Sequence, residues 1–140
     1  MADGLHLLPA GDPAALVPPG RGDVLASLLA ADPRPVVVDC GRAAPGPGSS
    51  VAGSASVSLL VLRPCYLALR RALAAPVRPS GVVLVDEPGR ALGRDDVEGV
   101  LGVPVTAVVA LDPAVARAVD AGVLLSRLPR RLARALRNVA

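Results

Sequence analysis

Four short runs of small aliphatic and β-branched residues constrain this chain most: Val36–Val38, Val57–Leu62, Val82–Val85 and Val103–Ala110. A half-buried antiparallel strand alternates apolar and polar residues, whereas a strand covered on both faces reads as a near-continuous apolar run. Helix signals separate the runs. Asp23 opens one helix, with Val24, Leu25, Leu28 and Leu29 as its apolar face and Asp32-Pro33 as its end. Pro64 suits the first turn of a second, which runs through Tyr66, Leu69 and Leu73 to about Ala75. A third covers Asp95 to Leu101 and stops at Gly102, and Asp112-Pro113 is a cap followed by proline at the head of a fourth that ends at Gly122. The last helix spans roughly Leu128 to Val139.

Strand and helix alternating through short links predict an α/β fold, with three layers (α/β/α) and a mainly parallel sheet of about five strands. The fifth strand is Leu5–Leu8, which runs into Pro9-Ala10-Gly11-Asp12-Pro13. Gly41 to Ser56, rich in Gly, Pro and Ser, is expected to be a long surface loop with one helical turn at most. Crossovers of one hand put the carboxyl ends of all strands on one edge, where ligands of such folds bind. Asp39, Arg63, Asp86 and Asp112 are expected there. The chain divides into an α/β domain over 1–125 and an Arg-rich amphipathic helix over 126–140.

The core has to be built from Ala, Val and Leu, because Phe, Trp and Ile are absent and Tyr66 is the only aromatic residue. Such side chains pack densely only if helix and sheet approach closely. Net charge is +3, and all fifteen basic residues are arginine. Five of these, Arg127, Arg130, Arg131, Arg134 and Arg137, crowd the C-terminal stretch, so a general nucleic-acid surface is not indicated. No run approaches the roughly 18 apolar residues of a membrane span. The start, Met1 to His6, has no basic n-region of a signal peptide. Cys40 and Cys65 therefore read as reduced thiols of a cytoplasmic protein. His6, the only histidine, has no Ser or Cys partner in view, which leaves a catalytic triad or a zinc site unsupported.

Four segments together resemble the MinD/ParA group of ATPases, which carry a deviant P-loop. Gly4 to Gly11 is similar to their "L-x-V-L-P-A-G" strand and loop, and Val36 to Cys40, V-V-V-D-C, to their "I-I-I-D" strand. Leu59 to Leu73 resembles the strand and helix "V-V-x-P-x-x-x-S-L-R-x-A". Gly81 to Leu124 resembles the closing section, with "D-V-x-x-x-L-G-x-P-V" and "D-P-A-V-A-x-A-V-D-x-G" in the family's order. The likeness runs from Gly4 to about Leu125 and omits the first strand, the lysine-bearing phosphate loop, its helix and the second strand.

The resemblance implies that Asp39 would orient Mg²⁺ through a water, and that loops at Asp86 and Asp112 would surround an adenine base. Relatives often carry Asn where Asp86 stands, and Asp offers acceptors only. ATP and Mg²⁺ are thus cofactors by resemblance alone. Without an ammonium group to reach the β- and γ-phosphates, none is expected to be turned over by this chain, and no catalytic residue is assigned. The competing readings are local: Asp39 as a cap for the Gly41 loop, Asp86 as a turn former, Asp112 as a helix cap. Loss of the phosphate-loop strand leaves Val36–Asp39 and Val57–Leu62 either to close up or to accept a strand from a partner chain. If they close up, Cys40 and Cys65 share one end of neighbouring strands and a disulfide is geometrically thinkable.

Leu128, Leu132, Leu136 and Val139 form one stripe of the last helix, with the five arginines on the remainder. This resembles the short membrane anchor of MinD proteins, in which Arg pairs with anionic lipid at about 1 kcal/mol per residue. The competing reading is a helix packed on the sheet with a solvated Arg face.

Three functions follow. The first is a non-catalytic MinD/ParA-like domain, an interaction or regulatory partner in cell-division, partitioning or positioning machinery, paired with a protein partner or a second copy. The second is the C-terminal portion of a genuine ATPase. The third is a peripheral adaptor that holds an anionic membrane, at the inner face, through its last helix.

Overall fold

The computed structural model describes residues 20–124 and 126–137, together with Leu8, Pro9, Pro18 and Val139. Helix α1 (Arg21–Ala30) and helix α2 (Pro47–Ser54) precede a β–α repeat: β1 (Leu59–Leu62), α3 (Tyr66–Leu73), β2 (Gly81–Asp86), α4 (Arg94–Leu101) and β3 (Val105–Ala110). Helices α5 (Pro113–Asp120) and α6 (Arg130–Ala135) close the chain.

The strands form one parallel sheet in the order β1-β2-β3. Central β2 is V-V-L-V flanked by Gly81 and Asp86, and its first four residues are buried. Leu62, Val82, Leu84 and Val105 join Leu69 of α3 and Val97 of α4 in one cluster, so both crossover helices cover the same face. Val82 and Val97 expose nothing to solvent. Val83 and Ala107, register partners on the opposite face, are also buried.

The chain is α/β as expected, but three strands replace five among the described residues. Val36–Asp39 belongs to no strand among the described residues, and Val37 is 97% exposed. A β-branched run becomes a strand only when a neighbouring backbone takes up its ladder groups. Val36–Asp39 and Val57–Leu62 therefore do not close up as one expectation had it, and Cys40 and Cys65 are free thiols. Of the expected Leu5–Leu8 strand, residues 5–7 lie outside the described residues, as does His6; Leu8 is exposed and not in a strand.

Gly41–Ser56 also departs from expectation, because Pro47–Ser54 is a helix. Proline at its first position needs no intrahelical N–H, and Ser49 Oγ accepts from Gly46 N–H at 3.3 Å. Asp23 is not the cap of α1, which begins at Arg21 after Gly20. The buried residues of α1 are Gly22 and Ala26, whereas Val24 and Leu28 are exposed. A Cβ at Gly22 would stand 2.7 Å from the carbonyl oxygen of Pro47, so absence of a side chain sets how closely α1 and α2 approach. Of the expected apolar face, Val24, Leu25 and Leu28 are exposed and Leu29 is half-buried. The last helix is α6, shorter than Leu128–Val139 because Pro129 stands as its cap.

Two features align β3. Thr106 is an extra residue opposite the step from Val82 to Val83, and its Oγ1 donates to the Val82 carbonyl at 3.1 Å. A Cβ at Gly81 would come within 2.6 Å of Thr106 Cγ2. Gly81→Ala should therefore cost about 1–3 kcal/mol by overpacking. Thr106→Ser, which keeps the hydroxyl and removes the methyl, should recover most of that loss; chemical denaturation of the single and double variants measures it.

Arg94 and Glu98 hold the head of β3. Glu98 accepts from Val105 N–H at 2.7 Å and from Arg94 Nε at 3.1 Å, while Arg94 donates to the Val105 carbonyl at 2.8 Å. The Val105 N–H, helped by Arg94, holds the Glu98 carboxyl below its ordinary 4.5 despite some opposition from burial. A depressed folded value gives stability that is present above pH 4.5 and lost as pH falls through the folded value. Glu98→Gln should lower the melting temperature at pH 7 and flatten its decline below pH 4.5, measured by thermal melts across pH.

Candidate functional site

The carboxyl edge of the sheet is where the alternating pattern places a ligand site. Strands β1, β2 and β3 deliver Arg63, Glu87 and Leu111–Asp112 to it. Glu87 is the hub. It accepts from Arg63 at 2.9 Å and from Arg90 at 2.8 and 2.6 Å. Hydrogen bonds from Arg90 first, and then from Arg63, hold its carboxyl below the usual range. This trio ties the end of β1 to the turn after β2. Sequence reasoning placed Arg63 but missed the network; the signal was an acid with an arginine three residues on, beside a strand end that supplies another.

Asp86 and Asp112 do reach this edge. The Asp86 carbonyl accepts from Leu111 N–H at 2.7 Å, which fixes the β3–α5 turn against β2, and the Asp86 side chain is exposed. Asp112 Oδ1 accepts from Ala114 N–H at 2.8 Å, a cap for α5 with Pro113 behind it. Asp39 lies outside the strands of the described residues, not at a strand end. Its Oδ1 accepts from Gly41 N–H at 2.8 Å, and Gly41 sits at φ 67° in the left-handed region. All three carboxylates were sequence candidates, and two of them are engaged in closing local backbone turns.

Among the described residues the carboxylates of this edge offer a triphosphate acceptors only. Such a ligand needs convergent backbone N–H donors and a flexible ammonium, and the chain has no lysine. Of the two arginines at the edge, Arg63 and Arg90 are both already paired with Glu87. Among the described residues no three metal-ligating side chains converge. Burial, then the charge of Asp39, push the Cys40 thiol above its ordinary range, which disfavours the thiolate.

The terminal arginines form a separate patch. Arg127, Arg130, Arg131, Arg134 and Arg137 are exposed, and no ion pair engages them among the described residues. Helix α6 lies against β3, where an open cleft of about 350 Å³ is lined by Val108, Leu111, Asp112, Val115, Arg131 and Leu132. The expected leucine stripe is split: Leu132 turns to this cleft, while Leu128 and Leu136 remain exposed. No helix among the described residues is long and apolar enough to cross a membrane. No protein-family model matches this chain, and neither a curated protein nor a solved structure does.

Proposed function

We propose that this chain is a non-catalytic, MinD/ParA-like α/β domain that serves as an interaction or regulatory partner in cell-division, partitioning or positioning machinery. The finer architecture that goes with this reading is a truncated P-loop NTPase-like sheet in three layers, with Val36–Asp39 as a further strand once a neighbour pairs with it. The observation that carries the reading is the state of the carboxyl edge: Asp112 and Glu87 are spent on a cap and an ion-pair hub, with no ammonium to hold phosphate. Millimolar Mg-ATP should leave the melting temperature unchanged, because only a ligand of the folded state raises it. A clear rise, or release of inorganic phosphate above a heat-killed control, would instead favour the reading as part of a working ATPase.

The exposed Arg cluster favours a second role, peripheral attachment to an anionic membrane surface. Arginine heads would meet lipid phosphate while Leu128 and Leu136 enter the headgroup region. The full chain should co-sediment with vesicles containing phosphatidylglycerol and not with neutral ones, and a chain ending at residue 125 should lose that binding.

A further inference from the structure

We draw no further inference here: the strongest candidate, the open cleft between β3 and α6, is lined by both Arg131 and Asp112 and so selects no ligand charge, and nothing in the structure shows what covers it.

Discussion

The structure depends on the burial of one strand. Among the described residues β2 is the only strand with a neighbour on each side, and Val82 and Leu84 on its covered face are almost wholly out of water. The packing of β1, α3, α4 and β3 refers to it. Leu62 of β1 and Val105 of β3 flank the same cluster, and Leu69 and Val97 drop α3 and α4 onto it. Because the side chains are small, this arrangement requires close approach. Gly81 at the head of β2 shows how close: its missing Cβ is the room that Thr106 Cγ2 occupies.

Polar groups then fasten the sheet at both ends. At the amino side, Arg94 and Glu98 hold both peptide groups of Val105, and Thr106 bonds back to Val82. At the carboxyl side, Glu87 gathers Arg63 and Arg90, and Leu111 N–H returns to Asp86. No buried side-chain polar atom among the described residues is left without a partner. Arginine suits these duties because its planar fork can reach carboxylate and carbonyl oxygens together, as Arg94 does with Glu98 and Val105.

From the α/β class through most elements of the second half, the fold was legible because local and tertiary signals coincide there. Val82–Val85 is a continuous apolar run and becomes the central strand; Asp112-Pro113 is a cap signal and becomes a cap; Gly102 stops α4 in the left-handed region at φ 63°. The first half was less legible because its signals are conditional. Val36–Val38 has strand composition, but a strand is made by two backbones, and composition describes one. Pro47–Ser54 has loop composition, yet proline at the first position and tertiary contact with Gly22 hold it as a helix. On α1 the leucines dominated the sequence pattern, while the packed face was set by Gly22 and Ala26, where small size counts more than hydrophobicity. Of the edge, Asp86 and Asp112 were placed correctly, and Asp39 was not, since its position depended on the missing pairing. The Glu87 hub requires knowledge of which strand ends are neighbours, which spacing along the chain does not supply.

The clamp on Val105 makes the two rims of the sheet unequal. At the β3 rim, the first peptide group is already saturated by a guanidinium and a carboxylate, and α6 lies against the same strand farther along. A strand added at the β3 rim would first have to break these side-chain bonds to Val105.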